Sequence, residues 1–231
     1  MPAFRPAALA ALAVALGAGA PLAAQPVQGE PVRDPKRAEA IFRARLDSAR
    51  MRFTAADVKF MQGMIHHHAQ AIAMSRWAPT HGASPAVQTL AARIINAQRD
   101  EIALMQGWLR DRKQPVPELH DMNGSLMVMG PNGHGDHAGH GGMLMSGMLT
   151  DAQMAALDAA RGVEFDRLFL TGMIQHHGGA TTMVTELFAT DGAGNDEAVF
   201  KFAADVNVDQ TTEIARMQQM LAALPAGPRA K

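Results

Sequence analysis

The chain has 231 residues, a formal net charge of −1, 48% hydrophobic residues and no cysteine. That length can bury one sizeable core or two small similar halves. The balanced charge, with no cluster of Lys and Arg, excludes nucleic acid and acidic membrane surfaces as electrostatic partners. Without thiols there are no disulfides and no thiolate ligands, so the seventeen methionines carry all the sulfur. Tyrosine is absent as well, which argues against tyrosyl-radical chemistry.

Residues 1–24 read as a signal peptide. Arg5 gives a weak positive start, Ala7 to Leu16 forms a short apolar core, and Leu22-Ala23-Ala24 resembles a cleavage site before Gln25. The apolar run is short for a span of about 20 residues, and Gly17, Gly19 and Pro21 break it; an uncleaved anchor is the alternative. Cleavage after Ala24 predicts a periplasmic or secreted protein without membrane attachment. Residues 25–33 then form a disordered segment.

A first half is expected over residues 34–118. Asp34-Pro35 opens a helix to about Ala49, through an N-cap followed by an N1 proline. Thr54 to Asp57 is a capping box with Asp in place of Glu, and starts a helix that stops before Pro79. Ser84-Pro85 caps a long helix reaching about Arg112, ended by Pro115 and Pro117. Nothing along the chain reads as a strand.

Residues 119–148 read as a flexible, metal-capturing loop. From His120 to Met148 it holds His120, His134, His137 and His140 with six methionines, among them Met145 and Met148, in a Gly-rich background that cannot build a core. A second half, 149–224, repeats the plan of the first. Thr150 to Gln153 is a capping box for a short helix to about Ala160, a helix runs from about Val163 to Ala189, and Asn195 caps a last helix to about Leu224. Residues 225–231 read as frayed.

The halves match residue by residue. Asp57 to Met74 aligns without gaps on Asp166 to Met183, sharing Phe60/Phe169, Gly63/Gly172, Met64/Met173, His67/His176, His68/His177, Ala71/Ala180 and Met74/Met183. The following helices match too, Gln98, Glu101, Ile102, Met105 and Leu109 aligning on Gln210, Glu213, Ile214, Met217 and Leu221. The expected fold is all-α: a four-helix bundle of two similar helical hairpins, each preceded by a short helix, related by an approximate twofold axis.

The repeat carries chemistry as well as packing. Duplicated core positions could drift to Leu or Ile, yet an imidazole pair recurs at a fixed distance from two methionines. On a helix, Phe60, Met64, His67, Ala71 and Met74 form one seam, as do their partners in the second copy. Met64 lies about 4.5–6 Å along the axis from His67 and His68, close enough to share an ion, whereas Met74 lies about 10.5 Å from His67. That spacing predicts a ladder of sites and more than one ion per molecule. The partner helices would add Met105, Met217 and Met220, with Met61 and the carboxylates Glu101 and Glu213 as weaker additions. Both glutamates are open between ligand and buried polar anchor. Gln98 and Gln210 are expected to hydrogen-bond between helices, Asp57 and Asp166 to serve structure at their helix starts, and His66, whose counterpart is Gln175, to lie on the surface.

Histidine with methionine and no cysteine selects Cu(I) first and Cu(II) second, with Ag(I) by analogy. Zinc would leave the methionines unexplained. A di-iron centre expects Glu-x-x-His motifs, and the chain has none.

The strings GMIHHHAQAIAM, QRDEIALMQGWL, MSGMLT and FDRLFLTGMIQHHGGATTM together resemble an exported bacterial domain-of-unknown-function family with a ferritin-like four-helix fold, which includes CopM-like copper-binding proteins. The resemblance spans about residues 36–223. It implies copper binding, tolerance or storage through Met64, His67, His68, Met74, Met173, His176, His177 and Met183, with Met145 and Met148 closing over a site. Gly178 and Gly179 depart from its Gln/Ala-like residues, and would either allow close approach or loosen the second half.

The leading expectation is a periplasmic protein that sequesters, stores or transfers copper without performing chemistry, exchanging it with periplasmic copper-transfer proteins. A copper-dependent oxidoreductase and a metal-free helical interaction or sensor module are the alternatives. No nucleophile–base pair, phosphate loop or dinucleotide fingerprint is present. Oligomeric state is left open.

Overall fold

In the computed structural model, residues 34–50, 52–122, 125–129 and 144–225 are described. The signal-peptide and N-terminal segment calls, His134, His137 and His140 of the loop, and residues 226–231 lie outside them. The chain divides into two units, residues 1–40 and 41–231. Of the first unit only residues 34–40 are described, in the opening turns of α1 (Pro35–Arg50).

Among the described residues there are six helices and one two-stranded sheet: α1, α2 (Ala55–Arg76), α3 (Pro85–Asp111), β1 (Glu118–Met122), β2 (Ser125–Met129), α4 (Asp151–Ala159), α5 (Val163–Phe188) and α6 (Glu197–Ala222). Helix starts follow local chemistry. Thr54 and Asp57 form the reciprocal capping box of α2, Ser84 accepts from Val87 N ahead of the N1 proline of α3, and Thr150 with Gln153 boxes α4. Helix α2 packs on α3 and α5 on α6, and the two hairpins meet along α2 and α5. None of the described helices is long and apolar enough to cross a membrane.

The motif aspartates stitch the halves together. Asp57 completes its capping box and also accepts from Gly194 N at 2.7 Å, in the turn between α5 and α6. Asp166 accepts from Ser84 N at 3.1 Å, in the turn between α2 and α3. Each motif helix is thus anchored at its start to the other half's turn.

Two expectations need correction. Residues 118–122 and 125–129 pair as two antiparallel strands, with Glu118 opposite Met129 and Met122 opposite Ser125. Leu126 and Val128 share one face of β2, Leu119 pairs with Val128, and all three pack on the core beneath α2, while Arg76 pairs with Asp121 at 2.7 Å. In the sequence, Asn123-Gly124 between these runs is a strong two-residue hairpin signal. The N-cap of α6 is Asp196, not Asn195. Its Oδ1 accepts from Ala198 N, Val199 N and Trp108 Nε1, and its Oδ2 from Arg112 at 2.6 Å, with the guanidinium 4.3 Å over the Trp108 ring. Only a carboxylate can serve the cap and the cation together. Burial raises the Asp196 carboxyl, but the bonds from Arg112, Trp108 and Val199 outweigh it and hold the group below its ordinary range.

Candidate metal centre

The four repeated histidines gather where α2 crosses α5. His67, His68, His176 and His177 are fully buried, and the His67 and His176 rings face each other with centroids 3.7 Å apart. Each ring is held through Nε2. His67 Nε2 donates to Ser146 O at 3.1 Å and His176 Nε2 to His67 O at 2.9 Å. His68 Nε2 meets Glu101 Oε2 at 2.5 Å, and His177 Nε2 meets Glu213 Oε2 at 2.7 Å. The Nδ1 atoms of all four are buried without a hydrogen-bond partner.

This pattern fixes protonation at the inner pair. A carbonyl oxygen only accepts, so Nε2 of His67 and of His176 carries the proton, and Nδ1 of a neutral ring is a bare lone pair. Burial keeps both rings neutral. It pulls His67 down to about 3, helped by the charge of His68 and opposed by the Ser146 bond. His176 falls well below its ordinary value, first by burial and then by His67, His177 and His68. A metal-binding histidine has the same form, with one nitrogen bare and the other donating to a carboxylate or carbonyl.

Sulfur lines the same helices. Met61, Met64 and Met173 are fully buried, Met64 and Met173 one turn before their histidine pairs. Met105 and Met217 are fully buried one turn after Glu101 and Glu213. Met220 is half-buried in the second core cluster. Met74 and Met183 instead reach across the crossing. The Met183 methyl lies 3.5 Å from where a Cβ would stand on Gly63, and the Met74 methyl 3.2 Å from the equivalent point on Gly172. These crossed pairs require α2 and α5 to run antiparallel.

Residues 144–149 form a strap over the crossing. Gln70 clamps it, accepting from Leu149 N at 2.8 Å and donating to Leu149 O at 2.9 Å. Gln175 donates to Gly147 O and Met148 O, each at 3.3 Å. A Cβ on Gly179 would stand 2.0 Å from Ser146 O, so that glycine admits the strap. Gly178 has nothing within 4 Å. Met148 is buried and Met145 half-exposed.

The sequence missed Gln70 and Ser146, since a clamp 79 residues away in the chain leaves no local pattern. Gln98 also corrects its expectation. Both its amide atoms are buried without a partner, as is Oε1 of Gln210. Glu101, one turn beyond Gln98 on the same face, is already taken by His68. Among the described residues no three His, Asp or Glu side chains converge as a ready-made cage. The ligand set on offer is imidazole with thioether.

The two helical hairpins thus bury four imidazoles whose Nδ1 atoms have no hydrogen-bond partner, on helices that also carry buried methionines. The model of the family named Domain of unknown function (DUF305) matches residues 57–221, and the chain belongs to that family. Among solved structures, a DUF305 fragment from Deinococcus radiodurans is 28% identical, with a TM-score of 0.58, covering 74% of this chain and 99% of that one. A DUF305 protein from Streptomyces coelicolor, described as secreted, is 26% identical with a TM-score of 0.57, covering 75% and 98%. CopM in its Cu(II)-bound form is 31% identical with a TM-score of 0.53, covering 72% and 95%, and its Cu(I)-bound form aligns similarly, at 28% and 0.51. An uncharacterized protein, L153 of Acanthamoeba polyphaga mimivirus, is 40% identical over 57 residues; the match spans 25% of this chain and only 38% of that relative's length.

Proposed function

We propose that this protein binds copper as cargo, for sequestration, storage or transfer in the periplasm or outside the cell, and holds more than one ion without transforming it. The observation that carries the reading is the histidine quartet, four fully buried imidazoles, each with Nε2 engaged and Nδ1 bare. An apolar core has no use for four unpaired polar nitrogens, each of which costs roughly 1–3 kcal/mol unless a ligand or water satisfies it. A metal ion removes that penalty and requires neutral imidazole, the form that burial already enforces at His67 and His176. Met64 and Met173, one turn away, make the environment soft, which favours Cu(I) and admits Cu(II) at the imidazoles. CopM has been solved in Cu(I)-, Cu(II)- and silver-bound forms as well as metal-free, which supports the same cargo here.

Met105 and Met217 would extend the ligand set from the partner helices, with Glu101 and Glu213 acting through His68 and His177 rather than on the ion. The half-buried Met220 and the buried Met61 would contribute packing around the ladder. Copper-transfer proteins of the same compartment would be the exchange partners. Anaerobic Cu(I) titration against a competing chelator tests the reading. Tight binding of more than one ion is expected, and so is loss of the tightest step on replacing His67, His68, His176 and His177 by Gln. No copper competed from the chelator would sink it.

A further inference from the structure

We propose that the cleft beside Gly63 is a second soft-metal site, in which the thioethers of Met145 and Met183 and the imidazole of His66 take a monovalent ion of the Cu(I) or Ag(I) kind, apart from the histidine core. The identity of the cargo rests on the function proposed above. The location rests on a difference between two equivalent places in the fold.

Gly63 and Gly172 hold the same position in the sequence repeat, and each receives a methionine from the opposite motif helix. What covers them differs. Over Gly172 lies Leu149, its Cδ2 2.9 Å from where a Cβ would be, and Met74 is fully buried beneath it. That niche is plugged with hydrocarbon. Over Gly63 the covering atom is Met145 Sδ, at 3.3 Å, with the Met183 methyl at 3.5 Å, so two thioether ends reach one spot. Packing alone is satisfied by leucine, as the twin niche shows; a second sulfur adds polarisable donor capacity that packing does not use.

Access separates the niches further. The Gly63 niche opens into a cleft of about 710 Å³ whose lining includes Met145, Met183 and His66. His66 stands one helical turn beyond Gly63, a rise of about 4.5 Å, on the same side of α2. Its twin Gln175 is used differently, donating to the strap carbonyls of Gly147 and Met148. An ion can therefore meet two thioethers and an imidazole from solvent, whereas Met64 and Met173 are fully enclosed. Two sulfurs with one imidazole suit a soft monocation. A hard dication finds no comparable set, since no three His, Asp or Glu side chains converge among the described residues. The site also adjoins the core: Ser146, next to Met145, is the residue that covers His67.

The test is Ag(I) titration of the full chain carrying methyl-labelled methionine, followed by NMR. The Met145 and Met183 methyls and the His66 ring are expected to shift together in one saturable step, distinct from the step that moves Met64 and Met173. His66→Gln should weaken the cleft step by about tenfold or more and leave the core step unchanged. Met145→Leu, which copies the twin niche, should abolish it. Shifts confined to Met64 and Met173 would overturn the cleft site while leaving the proposed function standing. Shifts confined to Met145, Met183 and His66 would support the cleft and overturn the core as the tight site. No shift at any methionine would overturn both, and an unchanged cleft affinity in His66→Gln would remove His66 from the ligand set.

Discussion

The two ends of the α2–α5 crossing begin from nearly the same sequence and finish as different places. At one end Met74 lies against Gly172 under Leu149, fully enclosed; at the other Met183 lies against Gly63 under Met145, beside an open cleft. The difference is not written in the repeat. It is imposed by the strap of residues 144–149, a single segment laid across two helices of matching sequence, which must present different residues to each side. The strap breaks the symmetry at the centre too. His176 donates to His67 O, but His67 donates to Ser146 O rather than back to His176. A duplicated scaffold thus acquires two chemically distinct approaches from one unduplicated loop.

Removing the strap should erase the difference, and Gly179→Ala is the sharpest way to do it. The new Cβ would stand 2.0 Å from Ser146 O and 2.5 Å from Gly147 Cα, both backbone atoms that cannot step aside. Overpacking against backbone predicts a loss of about 3 kcal/mol or more, read by chemical denaturation. It also predicts freer exchange of the Leu149 amide that Gln70 holds. A fully stable variant with that amide still protected would show that the strap tolerates displacement and does not set the asymmetry.

Acid should act on the shared centre instead. His67 and His176 are held neutral in the fold by burial, His67 down to about 3, whereas an exposed imidazole titrates near 6.5. Between those values the unfolded chain binds more protons, so stability is complete above about pH 6.5 and is lost as pH falls. Each imidazole contributes a slope of up to about 1.4 kcal/mol per pH unit. Metal-free protein should therefore show a thermal midpoint that drops steadily from pH 7.5 to 5. A flat midpoint over that range would mean that the rings are reached by water or already charged.

The helical plan is legible in the sequence because its signals are local. Thr54 with Asp57, Ser84 with Pro85, and Thr150 with Gln153 each place a helix start within four residues of chain. The strand pair of residues 118–122 and 125–129 is legible in principle through the intervening Asn123-Gly124 of the sequence, but its short runs lie in a His/Met/Gly-rich background that reads as unstructured. Asp196 could not be chosen over Asn195 from local pattern, since Trp108 and Arg112 arrive from 88 and 84 residues away. The gathering of the four histidines follows from the repeat. The destinations of Met74 and Met183 do not, because helical spacing describes one helix and these side chains settle on another.

The niches themselves can be compared by filling each glycine. At Gly172 an added Cβ would come within 2.9 Å of Leu149 Cδ2 and 3.2 Å of the Met74 methyl, both in an enclosed core. Gly172→Ala should cost about 1–3 kcal/mol. At Gly63 the neighbours at 3.3 and 3.5 Å are the ends of two flexible side chains beside an open cleft, free to move a few tenths of an ångström. Gly63→Ala should change stability by no more than about 1 kcal/mol, since relief of the helix penalty of glycine offsets the adjustment. Equal losses at both positions, measured by urea unfolding, would mean that the Gly63 niche is as tightly packed as its twin.

The smallest effect tests what the neighbouring glycine is for. Gly178 lies in the interior of α5, and a Cβ there would meet nothing within 4 Å. Its carbonyl accepts from Thr181 Oγ1 at 2.9 Å and Thr182 Oγ1 at 3.0 Å, contacts that an added methyl does not reach. Gly178→Ala should therefore stabilise by about 0.4–1 kcal/mol through the reduced freedom of the unfolded chain. That corresponds to a rise of about 1–4 °C in thermal midpoint for a domain of this size. Adjacent glycines would then carry opposite signs: Gly179 because the strap needs its space, Gly178 because nothing does. If Gly178→Ala destabilised as well, the pair would be serving the flexibility of α5 rather than the close approach of Ser146, and the strap would lose its place as the source of the asymmetry.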